Sequence, residues 1–166
     1  MRFVWEVGSG HGHFLTAYAA AHPLVNCIGI DIDSDRVARA KRKRERSRLN
    51  NLNFLQADAE DFLAVMPESA KLAAVFLLFP DPWPKRRHHK HRVITTEFLS
   101  AIAARAGQGT RLYFRTDHEP YFRDGAAIIC GHPDWSESDP ASWPFEQPTV
   151  FQIRSERHFT LVATRR

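Results

Sequence analysis

Short strand-like runs alternate along the chain with stretches whose apolar positions recur at helical spacing. The run at 3–7 (FVWEV) is stopped by glycines and reads as a buried strand. The runs at 25–30 (VNCIGI), 53–57 (NFLQA), 72–79 (LAAVFLLF) and 110–115 (TRLYFR) read the same way. Between them, 14–21 is rich in helix formers and ends near Pro23. Ser34 or Asp33 can cap a helix that reaches about Leu49, and further helices are expected at 60–65, 94–106 and 120–130. The most hydrophobic strand stops at Pro80-Asp81-Pro82-Trp83-Pro84, where three prolines forbid both helix and ladder. The last forty residues read as a loop rich in Pro, Ser and Trp, an element of undecided type near Val150, and a closing strand at 159–164. This order specifies an α/β fold: a doubly wound, mainly parallel Rossmann-like sheet of about seven strands, with helices on both faces. At 166 residues a single domain is expected. Ligands of such sheets sit beyond the carboxyl ends of the strands, so the chemistry is sought there.

Composition narrows the class. With 43% hydrophobic and 25% charged residues the chain has the make-up of a soluble globular protein. No apolar run approaches the ~20 residues of a membrane span, so no membrane association is expected. Met1-Arg2-Phe3-Val4-Trp5 enters a strand directly and lacks a signal-peptide layout. Cys27 and Cys130 are too few for a disulfide framework or a zinc cluster, and a cytoplasmic protein is expected. The net charge is only +4, but it is placed unevenly. From Arg36 to Arg48 eight Lys/Arg stand with one acid, Glu45, and Lys85-Arg86-Arg87-His88-His89-Lys90-His91-Arg92 adds five Lys/Arg and three histidines. Two such blocks fit a polyanionic partner, because each cation that neutralises a phosphate releases condensed counterions. A solvated helix face is the alternative for the first block.

Glu6-Val7-Gly8-Ser9-Gly10-His11-Gly12 follows the first strand and opens the first helix. Glycines let backbone turn tightly and approach a ligand closely. A dinucleotide fingerprint would need glycine at position 13, which is His13, and a Walker loop would need a Gly-Lys-Ser/Thr that does not occur. The observed Gly8, Gly10 and Gly12, with Glu6 two residues upstream, instead resemble the first motif of S-adenosylmethionine-dependent methyltransferases. Asp31 ends the second strand, where an acid can accept from both ribose hydroxyls. Asp58, after the third strand, could receive an adenine amino group, and Glu6 would lie under the amino-acid end of the cofactor, attracting its ammonium.

Phe79-Pro80-Asp81-Pro82-Trp83-Pro84-Lys85 ends the fourth strand. Proline stiffens such a loop, the aromatic offers a face for a flat base, and the polar group accepts from base N–H. The run FPDPWPKRRHHKHR, with EVGSGHG before it and Thr116-Asp117 after the fifth strand, resembles the bacterial tRNA (guanine-N7)-methyltransferase family. The resemblance implies methyl transfer from S-adenosylmethionine to N7 of a guanosine in the variable loop of tRNA. It implies that Glu6, Asp31, Asp58 and Asp81 line the cofactor side, that Asp81 is catalytic, and that Lys85 and Asp117 contact the substrate. The 149–154 stretch would match the family's terminal substrate motif, giving Thr149 and Gln152 to the substrate, with Gln152 where the family has glutamate. The expected partner is tRNA, and a monomer is expected. No metal is expected, since the Lys and Arg neighbours of His88, His89 and His91 repel a cation. The alternative is a non-catalytic or partner-dependent RNA-binding relative that keeps the methyltransferase fold.

Overall fold

The computed structural model of the protein describes residues 1–147 and 157–166. Its elements run β1 (Arg2–Val7), α1 (His13–Ala21), β2 (Asn26–Asp31), α2 (Ser34–Ser47), β3 (Leu52–Gln56), α3 (Ala59–Val65) and β4 (Lys71–Leu78). There follow a 3-10 turn (Arg86–His91), α4 (Thr96–Arg105), β5 (Ala106–Thr116), α5 (Glu119–Gly131), β6 (Trp135–Ser138) and β7 (Phe159–Arg165). The described strands form one sheet in the order β3-β2-β1-β4-β5-β7-β6. The pairs from β3 through β5 are parallel, and β7 runs antiparallel to both β5 and β6. The expected doubly wound, mainly parallel sheet is therefore present.

Period-two alternation along the strands feeds two cores. Phe3 and Trp5 of β1, with Val75 and Leu77 of β4, pack with Phe62 and Leu63 of α3, Leu99 and Ile102 of α4 and Tyr121 of α5. Val4 and Phe76 point the other way, to Phe14, Leu15, Val37 and Ala40 of α1 and α2. Helix starts follow the capping chemistry in the sequence. Asp33, rather than Ser34, caps α2 by accepting from the Asp35 and Arg36 amides. Thr95 caps α4, with Ile94 and Leu99 on either side of the cap buried in the same core.

The strand order reverses between β1 and β4. From β1 the chain winds outward through β2 to β3, then crosses back to lay β4 on the other side of β1. At such a switch point the loops leaving the two strands diverge and open a crevice. Those two loops are the glycine loop and the proline–tryptophan loop, so topology alone brings the two conspicuous motifs together.

Two expectations need correction. A strand, β6, lies within the stretch read as loop, and its Trp135 is fully buried and donates from Nε1 to the Leu99 carbonyl. The start of β5 at Ala106 is earlier than the apolar run suggested, because Ala106 pairs with Leu72 before a register shift. The Pro-rich segment after β6 packs on the sheet: Trp143 meets Phe76 and Tyr113, and Phe145 meets Phe14 and Tyr18. The element expected near Val150 falls outside the described residues.

Candidate functional site

The glycine loop turns through three left-handed residues, Gly8 (φ 70°), Gly10 (φ 53°) and Gly12 (φ 69°), where a side chain would be strained. Their surroundings differ. A Cβ on Gly8 or Gly10 would meet nothing within 4 Å, so the backbone there faces open space. A Cβ on Gly12 would stand 2.5 Å from the Phe54 ring and 2.9 Å from the Ala40 methyl, so that glycine lets α1 close against α2 and β3. The Ser9 amide donates to the Ile30 carbonyl (2.8 Å) and the Gly10 amide to Asp31 Oδ2 (2.9 Å), tying the loop to the end of β2.

Asp31 is 5% exposed; its Oδ1 accepts from the Asp33 amide (3.0 Å), and the Arg36 guanidinium lies 4.0 Å from Oδ2. A carboxylate has about four acceptor positions, so each oxygen keeps capacity for a further donor. Asp58, exposed at the end of β3, caps α3 through Oδ1, which accepts from the Glu60 and Asp61 amides. Glu6 is buried beneath the loop, and its Oε2 has no hydrogen-bond partner among the described residues. Burial, reinforced by the nearby Asp31 charge, pushes its carboxyl well above the ordinary range. The buried Ser9 hydroxyl is likewise unpartnered among the described residues, and sequence reasoning did not single it out. Unsatisfied buried polar atoms are uncommon, and two of them lie here at the glycine loop.

At the end of β4 the chain bends sharply. Phe79 (φ 49°) and Trp83 (φ 42°) adopt left-handed conformations that bulky residues rarely occupy. The Phe79 amide donates to the Arg115 carbonyl (2.7 Å), which continues the β4–β5 ladder one step into the loop. Asp81 and Lys85 are exposed, as is Asp117, which follows β5, the neighbouring strand. Trp83 is 37% exposed and rests against His88 and His91, with ring centroids at 5.8 and 5.1 Å, so one part of the indole remains open.

The basic blocks separate into surface and interior. On α2, Arg39, Lys41, Arg42 and Arg46 make no ion pair or hydrogen bond through their side chains among the described residues, while Lys43 Nζ lies 2.6 Å from His13 Nδ1. Partial burial and the Lys43 charge lower the His13 pKa, so a neutral imidazole accepts from the ammonium. In the second block, Arg92 departs from the expected phosphate-facing role. It is buried, donating from Nε to the Pro82 carbonyl and from one Nη to Asp124, each at 2.7 Å. Thr149 and Gln152 lie outside the described residues. Thus β1, β2, β3, β4 and β5 end respectively in Glu6 with the glycine loop, Asp31, Asp58, Asp81 with Trp83, and Asp117.

Residues 2–164 match the model of a family described as "Putative methyltransferase". A tRNA (guanine-N(7)-)-methyltransferase of Streptomyces coelicolor is 36% identical over 137 residues, covering 82% of this chain and 51% of that protein. The protein of the same name from Hyphomonas neptunium is 36% identical over 143 residues, covering 85% and 65%. That of Roseobacter denitrificans is 35% identical over 156 residues, covering 93% and 66%. The chain therefore spans between 51% and 66% of the length of these relatives. Among solved structures, an rRNA methylase of Streptococcus thermophilus shares the fold with a TM-score of 0.65 at 12% identity, over 99% of this chain and 87% of that one. TrmN of Thermus thermophilus does so with a TM-score of 0.69 at 19% identity, over 100% and 44%. No described helix is long and apolar enough to cross a membrane. With its Rossmann-like class I methyltransferase sheet and this span of sequence similarity, the chain belongs to the bacterial tRNA (guanine-N7)-methyltransferase family.

Proposed function

We propose that this chain binds S-adenosylmethionine at the ends of β1, β2 and β3 and methylates N7 of a guanosine in the variable loop of tRNA. The observation that carries the reading is the pairing at the switch point. There, one strand ends in an open glycine loop over a buried, half-unpartnered Glu6, and its neighbour ends in the Asp81–Trp83 loop. The residues fit the cofactor's chemistry. The unpaired Glu6 oxygen and the Ser9 hydroxyl suit its ammonium end, the remaining acceptor capacity of Asp31 suits ribose hydroxyls, and the free oxygen of Asp58 suits an adenine amino group. Gly8 and Gly10 leave room for close approach.

When bound, S-adenosylmethionine supplies an electrophilic methyl group. Guanine N7 carries an in-plane lone pair and no proton at neutral pH, so the chain's residues need not act as a general base. Their work is positioning. The open part of Trp83 gives a flat base a stacking surface. Asp81, on the same loop, would stabilise the positive charge that grows on the base as N7 is alkylated. The exposed cations of α2 and of the Lys85–Lys90 stretch would take the phosphates of the folded RNA, which is read largely by shape and backbone. The proposal carries with it a cytoplasmic monomer acting on tRNA.

The test is methyl transfer from labelled S-adenosylmethionine to unmodified tRNA, followed by reductive cleavage at N7-methylguanine. Wild-type chain gives a product in the variable loop, and Asp81→Ala lowers the rate by about 10²–10³-fold while remaining folded. Wild-type turnover in Asp81→Ala refutes the assignment of that residue. Cofactor binding with no product from the wild type points to a non-catalytic or partner-dependent relative.

A further inference from the structure

The loop that carries Asp81 can offer few backbone donors of its own. Pro80, Pro82 and Pro84 have no N–H to donate, and the two ends of the bend, Phe79 and Trp83, sit in left-handed conformations that cost energy. Such a bend persists only where surrounding contacts over-determine it. Hydrogen bonds bracket Asp81: the Phe79 amide donates to the Arg115 carbonyl on one side, and Arg92 Nε donates to the Pro82 carbonyl on the other. Between the Pro82 carbonyl and the Asp81 backbone, ψ of Pro82 is the main torsion left free. The pyrrolidine ring fixes φ of Pro82, and the same proline confines ψ of Asp81. Holding that carbonyl therefore restrains the backbone from which the Asp81 side chain extends.

Arg92 is itself held on three sides. Its Nε serves Pro82, its Nη1 serves Asp124 of α5 at 2.7 Å, and its guanidinium lies over the Tyr121 ring, 4.6 Å from the centroid. Tyr121 is fully buried, so the stack stands on the core. Burial pushes the Tyr121 hydroxyl up to about 12, and the Asp81 charge adds a smaller push in the same direction.

We infer that Arg92 is a positioning residue for methyl transfer: its buried guanidinium, set by Asp124 and Tyr121, clamps the Pro82 carbonyl and so places Asp81 and Trp83. The inference rests on the function proposed above. It assigns the last cation of the basic run to the architecture of the site instead of to RNA phosphate. Lysine cannot replace it, because a single ammonium lacks the planar fork that serves carbonyl and carboxylate while stacking on a ring.

The experiment compares wild type, Arg92→Lys and Asp124→Asn in the full chain, labelled with 5-fluorotryptophan. The Trp83 resonance is identified by its loss in Trp83→Phe. The expected result is that Arg92→Lys shifts or broadens the Trp83 fluorine signal while Trp5 and Trp135 stay in place. The rate constant for methyl transfer falls about 10²-fold, the scale of a 1 Å misplacement, with S-adenosylhomocysteine and tRNA affinities kept. Asp124→Asn moves the same signal in the same direction to a smaller extent. Its carboxylate is 56% exposed, so it carries the comparison if Arg92→Lys does not fold. An unmoved Trp83 signal overturns the inference. So does weakened tRNA binding with a smaller salt slope and an unchanged rate, which would make Arg92 a phosphate contact. A wild type that transfers no methyl refutes the function proposed above and leaves the fluorine spectra to decide the role of Arg92.

Discussion

Replacing Gly12 and Gly10 separately by alanine should separate a glycine that the fold needs from one that a ligand needs. Both sit in the left-handed region, at φ +69° and +53°, so alanine at either costs about 1–2 kcal/mol in backbone strain. At Gly12 the new methyl would also meet the Phe54 ring at 2.5 Å and the Ala40 Cβ at 2.9 Å. Phe54 is 2% and Ala40 0% exposed, so neither has solvent to move into, and a Cβ moves only with its backbone. Overpacking of this kind costs about 1–3 kcal/mol more, which brings Gly12→Ala to about 2–5 kcal/mol. At Gly10 the methyl enters open space and adds nothing to the strain. Urea denaturation of the two variants should therefore give a clearly larger loss for Gly12→Ala. Calorimetric binding of S-adenosylhomocysteine should give the reverse order among folded molecules, with Gly10→Ala the weaker binder. Native stability in Gly12→Ala would mean that Phe54 and Ala40 yield and that the close packing of α1 and α2 is not the constraint. Native affinity in Gly10→Ala would mean that the space above Gly10 is not where the ligand lies.

Glu6 and the basic surface give two further tests. Burial raises the Glu6 pKa above its ordinary 4.5, so the folded chain holds that proton more tightly than the unfolded chain does. The associated stability is complete below the ordinary value and is lost as pH rises through the raised one. Glu6→Gln should remove that decline, giving a ligand-free protein more stable than wild type above this window, with weakened S-adenosylhomocysteine binding; parallel stability–pH curves for the two proteins would refute the burial argument. For the RNA surface, Arg39→Gln and Arg42→Gln should each reduce the slope of log affinity against log salt by roughly 0.7–0.9, the share of one neutralised phosphate. Lys71→Gln, at the start of β4 and so at the opposite end of that strand from Asp81, should leave the slope unchanged. A salt-independent tRNA affinity in the wild type would remove the case for a polyanion surface.

What could be read in the sequence, and what could not, divides by the range of the interactions responsible. The glycine and proline loops were legible because their constraint is local: a left-handed turn asks for glycine, and a chain that must leave a sheet abruptly is spelled in prolines. β6 was not legible. Four residues, WSES, have little propensity of their own, and they form a strand because β7 pairs with them and Leu99 receives the Trp135 indole. Arg92 failed for the same reason at the level of a side chain. In a run of eight basic residues every cation looks alike, and the partners that turn one of them inward, Tyr121 and Asp124, come from α5 some thirty residues later. The meeting of the two loops is also non-local, since it depends on β4 returning to the side of β1 away from β2. Strand order, then, turns two local signals into one site, and the buried arginine fixes where the second of them stands.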